Sequence, residues 1–201
     1  VPIGVFSAVY LTEYAKKGNR LVRVVRTTTE TLAGIPSIVY GLFGYLIFVI
    51  ACKFQQSMLS GALTLAIMIL PTMMRTTEEA LLAVPDSYRE GSFGLGAGRL
   101  RTVFKVVLPS AVPGILSGII LSVGRIVGET AALIYTSGTV AGIPKNILSS
   151  GRTLSVHMYA LLSEGLYMEQ AYATAVVLLI MVLLINILSG FLAKKVSAKK
   201  G

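Results

Sequence analysis

The chain has 201 residues, of which 54% are hydrophobic and only 13% are charged. Because soluble globular domains carry about 25% charged residues, this composition excludes an ordinary soluble domain. The net charge of +9 does not indicate nucleic-acid binding, because the basic residues are spread between apolar stretches rather than gathered on one soluble face. The single cysteine, Cys52, rules out an internal disulfide and a cysteine metal cluster, and no metal site is predicted.

Apolar stretches of about 20 residues, the length needed to cross a bilayer, recur along the chain. Val1–Leu11 is too short to cross by itself and is interpreted as the end of a span that begins upstream. Four complete spans are predicted after it: 34–52, 57–74, 111–135 and 171–193. The predicted fold class is therefore an all-α integral membrane protein with four complete spans and the end of a fifth. We expect the chain to lack its N-terminal span or spans.

Basic residues alternate between the two sides of these spans. The segments before the first complete span, after the second and after the last are rich in lysine and arginine, whereas the other loops are nearly free of them. Positively charged loops stay in the cytoplasm. Loop 75–110 and the basic tail 194–201 are therefore predicted to be cytoplasmic, and segment 138–170 to be external.

The external segment contains a predicted helix of its own. Thr153–Leu166 has the apolar periodicity of a short amphipathic helix. Two placements remain open, against the outer surface of the membrane or packed on the spans as a plug or gate. His157, the only histidine of the chain, lies in this helix and is interpreted as a structural residue.

Loop 75–110 has the signals of two short helices joined by a glycine corner. Pro85 favours the start of a helix, and Gly94 and Gly96 interrupt it. A second short helix is expected to end before Pro109, because a residue that precedes proline is disfavoured in the α region. The glycine-rich run lacks the Lys-Ser/Thr of a Walker A sequence and follows no strand, so no nucleotide site is predicted here.

Two charged residues, Arg125 and Glu129, fall in the middle of the predicted span 111–135. A charge at the bilayer centre costs about 2.5–3.5 kcal/mol on insertion scales, so such residues face protein or water and usually pair. At i, i+4 spacing on one helix these two side chains can reach each other. Three interpretations remain open: a buried ion pair that locks helix packing, a translocation-pathway site where the guanidinium binds an oxyanion bidentately, and a proton relay.

The spacing within loop 75–110 is that of a family motif. It resembles the coupling loop of binding-protein-dependent ABC importer permeases, written EAA-x3-G-x9-I-x-L-P. The matching residues are Glu90, Gly91, Ser92, Gly96, Val106, Leu108 and Pro109. The strings 9–15, 34–44 and 124–133 extend the resemblance to phosphate-import permeases over essentially the whole chain. The departures are small or apolar: Gly and Ser for the two alanines, Val for isoleucine, and Ala132 where the family usually has proline.

The resemblance implies a type I ABC importer transmembrane domain that moves inorganic phosphate and has no enzymatic chemistry or cofactor of its own. It implies as partners a homologous permease, two ATPase subunits that bind ATP and Mg, and an external phosphate-binding protein. It also implies a multi-pass protein of a bacterial or archaeal cytoplasmic membrane. Arg125 would attract the anion, Thr130 would hydrogen-bond it, and Glu129 would accept the proton that sulfate lacks. The competing hypotheses are a permease for sulfate or molybdate, an autonomous channel and a small membrane enzyme.

Overall fold

The computed structural model describes residues 1–16, 18–165 and 167–198, which form helices and connecting segments without a β-strand. Leu166, the predicted last residue of the external helix, and the end of the predicted basic tail lie outside the described residues. The α-helices are α1 (Pro2–Val9), α2 (Arg20–Ala33), α3 (Ser37–Gly44), α4 (Met58–Leu82), α5 (Asp86–Gly94), α6 (Arg99–Thr102), α7 (Leu108–Val127), α8 (Ala131–Thr136), α9 (Leu154–Glu164) and α10 (Met168–Ala198). Wider π-helical segments are π1 (Tyr10–Tyr14), π2 (Tyr45–Ala51) and π3 (Val103–Val107).

Several helices have the length and hydropathy of membrane spans. Among the described residues, three stretches are by themselves long and apolar enough to cross a membrane: Met58–Leu82, Arg99–Val127 and Met168–Phe191. The helices Arg20–Ala33 and Ser37–Ala51 form a bent pair that is long and apolar enough only when both are taken together. If that pair is one span, the number of candidate spans is four. These helices agree with the predicted all-α membrane fold, and the bounds predicted for the individual spans stay predictions.

The first compact unit comprises Val1–Ala33, Leu70–Ser122 and the described residues from Leu188 onward. Its core joins α1, the end of α4, π3 and the start of α7 through the side chains of Val9, Leu81, Val84, Val103, Val107, Ala111 and Ile115. An ion pair between Arg26 and Glu78 links α2 to α4. This core supports the short helices that carry the family motif.

The second unit comprises Gly34–Ile69 and Val123–Ile187. Its helices approach one another at small residues, as is common where helices pack in membranes. A Cβ added to Gly41 would lie 2.8 Å from the Cα of Ala132, so α3 and α8 pack almost backbone to backbone. Gly44 of α3 makes a similarly close approach to α4. The short helix α8 is thereby held in place by its neighbours.

The helix that was expected to end before Pro109 continues through it. Arg99–Val127 is one helical stretch, made of α6, π3 and α7. Leu108 keeps helical angles (φ −61°, ψ −45°), and its N–H donates to the Val103 carbonyl five residues back. This π turn widens the helix at the point where the proline ring would meet the carbonyl of the preceding turn. The prediction from the proline was therefore wrong.

One segment that was predicted as a continuous helix is interrupted. In the predicted span 111–135, α7 ends at Val127 and α8 begins at Ala131, with a break at 128–130. This break changes the geometry expected for the charged residues of the span.

Replacing Gly41 with alanine is expected to lower the free energy of unfolding by ~1–3 kcal/mol, because the new methyl group meets the backbone of α8. The matched control is Gly190→Ala in α10, where an added Cβ meets nothing within 4 Å. Thermal unfolding of both purified variants in detergent checks the difference. Equal melting temperatures would show that α3 and α8 are not packed this closely.

Candidate functional site

The segment with the Glu90–Pro109 motif folds into a compact knob, defined here as residues 86–107. Pro85 occupies the N-cap of α5, and α5 follows it directly. The chain then turns at Gly96, whose φ of +80° is a left-handed conformation that glycine adopts without strain. The helix α6 begins at Arg99 after this corner. The predicted short first helix and glycine corner are confirmed, whereas the second helix is the start of the long stretch Arg99–Val127.

The motif residues take different positions in the knob. The hydroxyl oxygens of Ser92 and Thr102 lie 2.8 Å apart and connect α5 to α6. Glu90 and Gly91 are exposed, and Val106, Leu108 and Pro109 are half-buried. The deeper anchors are Val103 and Val107, which are buried in the core of the first unit. Motif matching did not single out these two residues, although their i, i+4 spacing on a helix was visible in the sequence.

Arg89, one residue before the motif, binds three segments at once. Its Nη2 donates to Glu13 Oε1 at 2.7 Å and to the Leu81 carbonyl at 2.9 Å. Its Nη1 donates to the Val84 carbonyl at 2.8 Å and to Asp86 Oδ1 at 3.1 Å. The hydrogen bond to Glu13 raises the pKa of Arg89 above its ordinary value, although burial opposes this. Sequence reasoning missed Arg89; the available signal was Glu13, an acid in an apolar helix that needs a cation.

The outward side of the knob is both apolar and basic. Leu95, next to the glycine corner, is 91% exposed. Arg101 and Lys105, which are four residues apart on the second helix of the knob, are exposed as well. Other large apolar side chains are also exposed here: Tyr88, Phe93, Leu100 and Phe104. Exposed large apolar side chains beside polar ones are typical of interaction surfaces, so we predict such a surface on the knob.

The break at 128–130 is held by side chains of the second unit. Glu129 is only 8% exposed, and its Oε1 accepts a hydrogen bond of 3.1 Å from the N–H of Ala132 in the first turn of α8. The hydroxyl of Ser155 in α9 donates to the Glu129 carbonyl at 2.7 Å. Thr130 is the N-cap residue of α8, and its hydroxyl donates to the Gly128 carbonyl at 3.4 Å. Glu129 therefore has a structural role as a cap.

The predicted contact between Arg125 and Glu129 is not formed. The ion pairs among the described residues do not include these two, and Arg125 is exposed. The i, i+4 argument assumed one continuous helix, whereas α7 ends between the two residues. Of the three interpretations, the buried ion pair does not match this geometry. The pathway site and the proton relay stay hypotheses.

Comparison with known proteins places the chain in a family. The model of the family described as "Binding-protein-dependent transport system inner membrane component" matches residues 1–200. The chain belongs to this family. The match contains both the knob and the broken helix, so both belong to an inner membrane component of a transport system.

In relatives of this inner membrane component, between a third and two fifths of the aligned residues are identical to those of this chain. A probable ABC transporter permease protein, YqgI of Bacillus subtilis, is 36% identical over 99% of the chain and 73% of its own length. Phosphate transport system permease protein PstA 1 of Mycobacterium tuberculosis is 38% identical over 93% of the chain. PstA of Yersinia pestis is 35% identical over 99%. The chain spans 62% and 66% of the length of these two PstA proteins. The predicted resemblance to phosphate-import permeases is confirmed.

A solved structure supports the fold of this inner membrane component. A chain of the MetNI methionine ABC transporter, in an inward-facing conformation, superposes with a TM-score of 0.75 at 22% identity. The alignment covers 97% of this chain and 84% of the other. The predicted type I ABC importer fold is thereby confirmed.

Replacing Glu129 with alanine is expected to lower the free energy of unfolding by ~0.5–2 kcal/mol, because the Ala132 N–H loses its acceptor. Glu129→Gln should be close to wild type, because its amide oxygen accepts the same hydrogen bond. Thermal unfolding of the two variants in detergent checks this order. If both variants unfold together, at the temperature of the wild type, the carboxylate does not cap α8.

Proposed function

We propose that the chain is the permease subunit of an ATP-driven importer of inorganic phosphate. The observation that carries the proposal is the similarity, over 93% and 99% of the chain, to proteins named phosphate transport system permeases. This chain supplies part of the path through the membrane and a docking knob, and the partner ATPase subunits bind ATP and Mg. The chain is therefore a transport subunit, and the hydrolysis of ATP belongs to its partners.

The knob is the proposed contact with the ATPase subunits. Its inner side is anchored in the core by Val103 and Val107. A movement of the knob therefore displaces the helices that share this core. Its other side exposes Leu95 and Leu100 together with basic side chains. An apolar anchor surrounded by charged residues is the usual composition of a specific protein interface. On this proposal the knob and the C-terminus lie in the cytoplasm.

Arg125, Glu129 and Thr130 are proposed to line the path of the anion. The break at 128–130 supports this, because non-helical backbone at membrane depth is tolerated only where it is buried in protein or lines a water-filled cavity. The exposed guanidinium of Arg125 suits bidentate binding of phosphate oxygens. The Glu129 carboxylate accepts a hydrogen bond from the protonated oxygen that phosphate carries near neutral pH and sulfate lacks. The hydroxyl of Thr130 supplies a neutral hydrogen bond.

The proposed complex contains a homologous permease subunit, two ATPase subunits and an external phosphate-binding protein. Helix α10 supports such an assembly in a membrane. Little of its apolar stretch Met168–Phe191 is buried inside the chain, which leaves that surface for lipid and for another membrane subunit. The proposed location is the cytoplasmic membrane of a bacterium or archaeon.

Glu129→Gln is expected to lower phosphate uptake relative to sulfate uptake by roughly 10-fold or more, the value of a hydrogen bond to a charged group. The glutamine keeps the cap on α8, so the change isolates the hydrogen-bond-accepting role toward phosphate. Uptake of the two labelled anions by the full-length protein, reconstituted with its partners in liposomes at neutral pH, measures this ratio.

The matched control is Glu164→Gln, at an exposed acid near the end of α9. An unchanged ratio in Glu129→Gln would remove Glu129 from substrate selection.

Preference of the wild type for sulfate or molybdate would favour a permease for that anion. Uptake without any ATPase would favour an autonomous channel.

Gly96→Ala is expected to weaken coupling, because a left-handed conformation costs an alanine roughly 1–2 kcal/mol and the corner must distort to relieve it. Gly94→Ala is the control, since an added Cβ there meets nothing within 4 Å and no left-handed angle is required. Co-purification of the ATPase and phosphate moved per ATP hydrolysed are the measurements. If the two variants behave alike, the corner has no role in coupling.

A further inference from the structure

The first helix of the chain, α1 with π1, ends against the knob through a buried acid. Glu13 on π1 is 8% exposed and is the only charged side chain between Pro2 and Tyr14. A buried carboxylate is unfavourable unless a charge partner and hydrogen bonds compensate for the water it loses. Arg89 provides both, with Nη2 at 2.7 Å and Nε at 3.3 Å from Glu13 Oε1. The pair joins residues that are 76 positions apart.

Stability by itself does not explain this pair. Replacing a buried ion pair by apolar residues of similar size is often neutral or stabilising, so such pairs are weak evidence for a role in stability. The planar guanidinium instead fixes direction, because its donors form a rigid fork. The fork of Arg89 binds Glu13 on one side and the Leu81 and Val84 carbonyls at the end of α4 on the other. The knob, the first helix and α4 are thereby held in one arrangement.

The second helix of the knob contacts the first helix independently. The guanidinium carbon of Arg99 lies 5.5 Å from the centre of the Tyr14 ring, which is cation–π geometry. Behind these two contacts, Val9 of α1 shares the core with Val103 and Val107 of π3. Each half of the knob therefore meets the first helix through an arginine, and an apolar core fills the space between them.

We propose that this junction, Arg89 with Glu13 and Arg99 with Tyr14, transmits movement of the knob to the first helix. The inference rests on the proposed function, in which ATPase subunits move the knob. Arg89 is a positioning residue that acts through Glu13. The junction falls on π1, and π-helical segments occur preferentially at functional positions in helices. Movement at the ATPase thus reaches the membrane through α1 as well as through α7.

A distance measurement tests the junction without any substrate. Spin labels at the exposed positions Tyr10 and Ser87 report the separation of π1 and α5 in the full-length chain, carrying Cys52→Ser and assembled with its ATPases. The proposal predicts one narrow distance, the same with and without ATP. In Glu13→Gln and Arg89→Lys the distance should broaden or change when ATP binds. A distance that stays narrow and fixed in both variants would overturn the proposal.

The matched control for the distance is Asp86→Asn. This change removes the negative charge beside Arg89 from an acid whose side chain is 87% exposed, and it leaves the buried pair intact. The control should keep the narrow distance of the wild type. A broadened distance in this control would overturn the assignment to the buried pair.

A second measurement uses phosphate uptake by the complete complex. Glu13→Gln and Arg89→Lys are expected to lower phosphate moved per ATP hydrolysed by about 2- to 30-fold, the usual range for residues that couple two sites. ATPase co-purification and ATP hydrolysis should persist. An unchanged ratio, or loss of the ATPase from both variants, would overturn the proposal, because the pair would then only fold the knob. If the wild type hydrolyses ATP without moving phosphate, the proposed function fails and the spin-label distance still decides the junction.

Discussion

In an apolar chain, every backbone N–H and C=O that leaves a helix must find its partner within the protein, because lipid offers none. The interruptions of this fold follow from that requirement. At 128–130, the Glu129 carboxylate accepts the first-turn N–H of α8, and the Ser155 hydroxyl binds the Glu129 carbonyl. At the end of α4, Arg89 donates to the carbonyls of Leu81 and Val84, and the Leu81 carbonyl also accepts from the Val84 N–H. The lipid constraint thus explains an acid inside a predicted span, and the general need of buried backbone groups for partners explains the contacts of Arg89 in the knob.

Five charged residues of the described part of the chain divide into two groups by this criterion. Glu13, Arg89 and Glu129 are satisfied inside the protein, and each fixes the direction of a helix or of a turn. Arg125 and Arg101 are exposed. The division separates Arg125 from Glu129, which their spacing had grouped as one pair. A buried side chain that caps a helix and an exposed guanidinium can therefore lie only four residues apart.

Local rules predicted the knob well and its continuation poorly. Pro85 before α5 and a glycine at the left-handed corner depend only on the backbone angles of the residue itself, so the sequence is sufficient to place them. The prediction that the helix ends before Pro109 failed because the preceding turn is the wider π3. This turn removes the steric clash between the proline ring and the preceding carbonyl that normally ends a helix. The prediction of one continuous span around Glu129 failed because a break occurs where a helix was expected. Its apolar composition indicated one helix, and the contacts of Glu129 and Ser155 stabilise a break instead.

By itself, the sequence determined the all-α membrane class, the motif of the knob and the family, because composition and short spacings are properties of neighbouring residues. Only the tertiary structure decided that Glu129 caps α8 rather than pairing with Arg125. Only the tertiary structure revealed that Arg89 holds Glu13. For Glu129 the physical reason is the break at 128–130, which the distant Ser155 helps to stabilise, and for Arg89 it is the distance to Glu13 along the chain. A buried charge such as Glu13 requires a partner. Its partner Arg89 lies 76 residues away, and only the packing of the helices brings the two together.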